Sequence, residues 1–166
     1  MRAALLGLVA LVAVCCGGPA PSVAPSSRVP AASLPAAARL PAAGPCGLIA
    51  DVAGAVGREP IASPNAYTIG STERCMWVVA RDPSRYIGLS VGPAANHAAS
   101  IDAMGDGEPV EGLGDDARWW PAARTLSVAM GDRSIQVDLQ LDDAEVTRDL
   151  AVQLARQALE GLGSGG

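Results

Sequence analysis

Along the 166-residue chain the apolar positions fall into three regimes. Residues 3–14 (AALLGLVALVAV) form an unbroken apolar run behind Met1 and Arg2. Residues 17–45 lose that density to Pro, Ala, Ser and Gly. From Cys46 onward the apolar residues become periodic. Leu48, Ile49, Val52 and Val56 recur at helical spacing, and Gly57 supplies a stop. Residues 58–72 read as loop, with Pro60, Pro64 and the pair Gly70-Ser71. Residues 74–80 read as a buried strand and 81–84 as a turn. Residues 86–91 read as a second strand with Ile87, Leu89 and Val91 on one face. A weak helix is expected over 94–104, ended by Gly105. A glycine-rich acidic loop follows through Gly114, and then a short strand over 118–120. Leu126, Val128 and Met130, a turn at Gly131-Asp132, and Ile135, Val137, Leu139 and Leu141 alternate with polar or small residues. That alternation predicts a hairpin with one buried and one wet face. An amphipathic helix over 143–162 closes the domain, its stripe running from Val146 to Leu162 and its N-terminus capped by Asp142 or Asp143. The expected fold class is α+β: one antiparallel sheet of about five strands covered by two or three helices. Residues 163–166 are expected to form a disordered tail.

The first forty-five residues read as an address and a spacer. Twelve apolar residues span only about 18 Å as a helix, against a bilayer core of roughly 30 Å, so residues 1–16 fit a signal peptide. Small residues and Cys15-Cys16-Gly-Gly follow, a pattern similar to a bacterial lipobox. Cys16 is the favoured acylation site, because small Cys15 precedes it whereas branched Val14 precedes Cys15. This choice also leaves Cys46 and Cys75 as an even pair. Cys15 is the alternative, and would leave Cys16 as a spare thiol. Residues 17–45 are too rich in proline and too poor in large apolar side chains to fold, and are expected to form a flexible tether. A disulfide between Cys46 and Cys75 is expected to contribute about 3–4 kcal/mol to the domain over 46–162.

Charge narrows the partners. All twelve basic residues are Arg, and three of them precede Cys46 without any acid. The domain therefore carries nine Arg against seventeen Asp and Glu, a formal −8. Nucleic acid and anionic lipid surfaces repel such a domain.

Candidate chemistry is sparse. His97, the one histidine, has no evident partner and reads as a surface residue; no serine stands in a G-x-S-x-G elbow. The acids Asp102, Asp106, Glu108, Glu111, Asp115 and Asp116 cluster near glycines, but Met104 stands where an EF-hand needs an oxygen ligand, so a solvated loop is expected. No metal, cofactor or catalytic residue is expected. Trp119 and Trp120 must face opposite sides of a strand. Either one indole faces outward, making a partner-binding patch with Asp115 and Asp116, or loops cover both.

Pro45-Cys46-Gly-Leu-Ile, Cys75-Met-Trp77, Gly112-Leu-Gly-Asp-Asp-Ala117 with Trp119, and the closing Ala-Leu-rich helix resemble a family of actinobacterial lipoproteins found in mycobacteria and streptomycetes. That family has no established activity. The resemblance spans about residues 45–162 and implies a cell-envelope lipoprotein with an α+β domain, and it carries over no catalytic residues. The expected function is a non-enzymatic binding or accessory module, lipid-anchored on the outer face of the cytoplasmic membrane, with an envelope protein or small molecule as partner. Two alternatives stand beside it: a hydrolase of envelope polymers using carboxylates of the 102–116 loop, and a lipid or small-molecule carrier with a cavity between helix and sheet.

Overall fold

A computed structural model describes residues 40–163. The apolar leader, Cys15, Cys16, residues 17–39 and the last three residues lie outside the described residues.

Seven antiparallel strands form one sheet: β1 (Asn65–Ile69), β2 (Thr72–Val78), β3 (Tyr86–Pro93), β4 (Glu108–Pro109), β5 (Asp116–Trp120), β6 (Thr125–Met130) and β7 (Arg133–Gln140). Their spatial order is β1-β2-β3-β7-β6-β5-β4. Two meanders, β1–β3 and β4–β7, are thus fused where β3 meets β7. Three helices accompany the sheet: α1 (Val52–Val56), α2 (Ala95–Met104) and α3 (Arg148–Gly163), together with a 3-10 turn over Gly44–Gly47. The α+β class and the single antiparallel sheet stand as expected, and the strand count rises from about five to seven. One added strand is β4, only two residues long. The other is β1, which lies within the segment read as loop. All five β1 residues are exposed, so burial leaves no mark on their sequence. The signal that was present is the β-prone Tyr67-Thr68-Ile69 ahead of the two-residue turn Gly70-Ser71.

Register assigns every side chain to one of two faces. Trp77, Ile87, Leu89, Val91, Trp119, Leu126, Val128, Ile135, Val137 and Leu139 share one face. The α3 stripe of Leu150, Ala151, Leu154, Ala155, Ala158 and Leu162 covers this face and forms the core with it. Cys46 in the 3-10 turn is bonded to Cys75 on β2, at a sequence separation of 29, so that turn is clamped onto the same face. Leu40 packs against the core and Pro45 is buried, so residues 40–45 belong with the fold although their composition resembles the tether. No helix among the described residues is long and apolar enough to cross a membrane.

The first and last helices differ from the sequence pattern for local reasons. The first apolar stretch is not one helix: Leu48 and Ile49 lie in the link after the 3-10 turn, and only Val52–Val56 is helical, where Asp51 accepts a hydrogen bond from the Gly54 amide at 2.6 Å and caps α1. Helix α3 begins at Arg148 instead of 143, and Thr147 Oγ1 takes the capping role by accepting from Leu150 N at 3.0 Å. The acids before it are drawn into ion pairs instead: Asp142 with Arg85, Asp143 with Arg124, Glu145 with Arg58.

Candidate functional site

The second face of the sheet is polar, and it is not wet. Ser90, Thr125, Ser127, Ser134 and Asp138 are all buried there, under α2 and the segment that follows it. Helix α2 is the crossover between the two meanders. It runs from the end of β3 toward β4 and packs on β3, β6 and β7.

His97 fastens α2 to this face. The sequence placed it on the surface; the structure buries it at 5% exposure, the one buried residue of α2. Its Nδ1 lies 3.0 Å from Ser127 Oγ and its Nε2 lies 3.0 Å from Asp116 Oδ2. A carboxylate only accepts, so Nε2–H donates to Asp116, and in the neutral ring the Ser127 hydroxyl donates to Nδ1. Asp116 also accepts from Arg118 Nε at 3.0 Å. The hydrogen bond from His97, and then the bond and charge of Arg118, hold the Asp116 carboxyl below its ordinary value. Ser, His and Asp are the residue types of a hydrolytic triad, but Ser127 is 1% exposed, sealed between sheet and imidazole. A nucleophile must reach its carbonyl. This chain of bonds is a strut.

The two indoles occupy opposite faces and neither is exposed. Trp119 (4% exposed) lies in the core, and Trp120 (5%) lies on the polar face, donating Nε1–H to the Gly105 carbonyl at 2.9 Å. Gly107, at φ +64°, is where the chain crosses that ring. A Cβ there would stand 2.8 Å from Trp120 Cε2. An outward indole patch is therefore absent at both positions. The acidic loop is also more ordered than a solvated loop: Val110 and Leu113 are buried in the core, and Asp115 accepts from the Gly131 amide at 2.6 Å. Asp102, Asp106, Glu108 and Glu111 are exposed. Among the described residues no group of three or more His, Cys, Asp or Glu is placed to hold a metal ion.

A cleft of ≈ 400 Å³ opens between α2 and the β1–β2 hairpin, and the sequence reading singled out none of the residues that line it. β3 makes room for it by presenting only Ser90 and Gly92 to the floor. Gly92 leaves room for the Asn96 side chain, whose Nδ2 would stand 2.3 Å from a Cβ there, and Asn96 donates to Thr72 Oγ1 at 2.8 Å across one end of the cleft. Arg74 and Gln136 flank Ser90 on the neighbouring strands. Behind them Asp138 acts as a hub, accepting from Arg74 at 3.1 Å, Thr125 at 2.9 Å and Gln136 at 2.8 Å. Ser90 is 7% exposed and its hydroxyl has no hydrogen-bond partner among the described residues. Around the mouth stand Ile69, Ala99, Ala103 and Met104, all exposed. Two of the four large exposed hydrophobics among the described residues, Ile69 and Met104, thus border one cleft, and Tyr67, a third, stacks on Arg74 with the guanidinium 5.9 Å from the ring centroid. The alternation of β7 signals its polar side. Nothing in that alternation tells a solvated face from a ligand floor.

No protein-family model, curated protein or solved structure matches this chain.

Proposed function

We propose that this protein is an exported, lipid-anchored binding module of the cell envelope, with the cleft beneath α2 as the seat of a small ligand. One observation carries the reading: Ser90 Oγ, a buried hydroxyl without a partner among the described residues, at the floor of an open cleft whose rim is apolar. Leaving a buried hydroxyl unbonded costs about 1–3 kcal/mol, which a ligand atom placed on it recovers. The cleft volume lies within the range of about 300–1,000 Å³ typical of small-molecule sites, and it joins a polar floor to an apolar rim. The Cys46–Cys75 bond supports an oxidising compartment, and the leader with Cys15-Cys16 supports export with acylation, at Cys16 in preference to Cys15. No catalytic step forms part of this reading.

Two measurements test it. Labelled palmitate fed to cells should enter the wild-type chain and not the Cys16→Ser variant; a chain that stays unlabelled ends the anchoring half. Native mass spectrometry of the chain purified from its envelope should carry a small-molecule adduct that organic extraction removes. Ala103→Trp, which fills the mouth of the cleft, should lack it. A bare mass for the wild type ends the binding half.

A further inference from the structure

Resting on the cleft as a ligand seat, we infer that it takes an amphiphile with a single carboxylate. The carboxylate sits on Arg74 and the Ser90 hydroxyl, and the hydrocarbon lies along Ile69, Ala99, Ala103 and Met104.

The polar groups lining the cleft are weighted toward donors. Arg74 is its one charged lining residue, in a domain of formal charge −8. A guanidinium has five N–H donors, and the one hydrogen bond that Arg74 makes among the described residues runs from Nη2 to Asp138. The Ser90 hydroxyl is unengaged, and Thr72 Oγ1, which accepts from Asn96, keeps its own proton to give. Gln136 turns its amide nitrogen to Asp138, and its carbonyl oxygen has only a long 3.5 Å contact from Ser100. The hydroxyls and the Asn96 and Gln136 amides of the lining can both donate and accept, so the sign of the ligand head is set by Arg74, the one lining side chain among the described residues that only donates and carries a charge.

Asp138 decides between one negative charge and two. Three donors occupy its oxygens, and its contact with Arg74 holds the guanidinium across the strand from Ser90. Asp138 balances the Arg74 charge, so one ligand carboxylate brings the cluster to a net −1, which the N–H groups of Arg74 not used on Asp138 offset by hydrogen bonding. A doubly charged head would face Asp138 with only one cation to shield it. The apolar part follows from the rim: four exposed apolar side chains line one side of the opening, and they lose water only when a hydrocarbon covers them.

The test uses the 15N-labelled full chain titrated with sodium decanoate, decanamide and decylamine, following the amides of Ser90, Ala99 and Gln136. Decanoate should bind most tightly, decanamide about tenfold more weakly, and decylamine weakest. Arg74→Gln should abolish the preference of decanoate over decanamide. Because that change also unpairs Asp138, Met104→Glu on the exposed rim provides a second variant without a buried contact to lose; it should weaken decanoate several-fold more than decanamide. Ser90→Ala should weaken decanoate and decanamide alike, by about three- to tenfold. Equal binding of decanoate and decanamide by the wild type, or a preference unmoved by both Arg74→Gln and Met104→Glu, overturns the carboxylate while the cleft amides still respond and the seat stands. If none of the three probes moves those amides the inference falls, and the seat is then judged by the native-mass adduct alone.

Discussion

Ser127, His97 and Asp116 form a relay of hydrogen bonds that ties a weakly amphipathic helix to a polar sheet. His97→Ala should strand the Ser127 hydroxyl, which is almost wholly shielded from solvent. The expected loss is about 2–4 kcal/mol in urea unfolding, from an unsatisfied buried group plus the cavity left by the ring. The same variant removes the largest influence that lowers the Asp116 pKa, so the carboxyl should titrate higher, read by NMR of its side-chain carbon. The sign of the pH effect follows. A carboxyl whose folded pKa is depressed stabilises the fold above its unfolded pKa, and that contribution is lost as pH falls through the folded value. Stability of the wild type should therefore decline below about pH 4, and His97→Ala should flatten this part of the decline. The Asp116 side chain is 40% exposed, so solvent screening keeps the effect modest in size.

At the scale of elements, two devices hold pieces that have little core of their own. The 3-10 turn over Gly44–Gly47 is four residues long, and its disulfide to β2 stands in for packing area. Replacing Cys46 and Cys75 together by Ala should cost about 3–4 kcal/mol by chain entropy, measured as a fall in urea midpoint. The same fall should follow reduction of the wild type. Helix α2 depends on close approach at Gly92. Gly92→Ala should drive the Asn96 side chain away from Thr72, shift the α2 amides and cost about 1 kcal/mol, the net worth of the hydrogen bond lost. An α2 spectrum indistinguishable from wild type would show that the helix tolerates the methyl and does not rest on that contact.

The described domain as a whole is organised about the β3–β7 seam, which joins two meanders whose paired residues are far apart in sequence. Strands β3 and β7 are central and packed on both faces, while β1 and β4 are the free edges, β1 exposed throughout. Amide exchange should follow that order. Protons of Leu89, Val91, Val137 and Leu139 should exchange only with global unfolding, and those of the outer edge of β1 should exchange fastest. Slow β1 amides in the isolated chain would mean that its edge is covered by something beyond the described fold. Folding should be slow for the size of the domain, since β3 must await β7 before its second edge is paired.

The pattern of the chain by itself determined the hairpin of β6 and β7, the strand at Cys75, the stripe of α3 and the α+β class. Each is written locally, as a period of two or of 3.6 that burial on one side imposes on neighbouring residues. The pairing of the two cysteines was legible by count. Tertiary structure alone decided what the polar face is for. Whether Ser90, Gln136 and Asp138 meet water, a helix or a ligand depends on where the α2 crossover lies. It likewise depends on which strand comes to rest beside β3, and these are contacts between residues dozens of positions apart. His97 found its partners the same way: one lies thirty residues off on β6 and the other on β5, and no local spacing connects them. A local period records that a side chain is turned one way or the other; it carries no record of what arrives opposite.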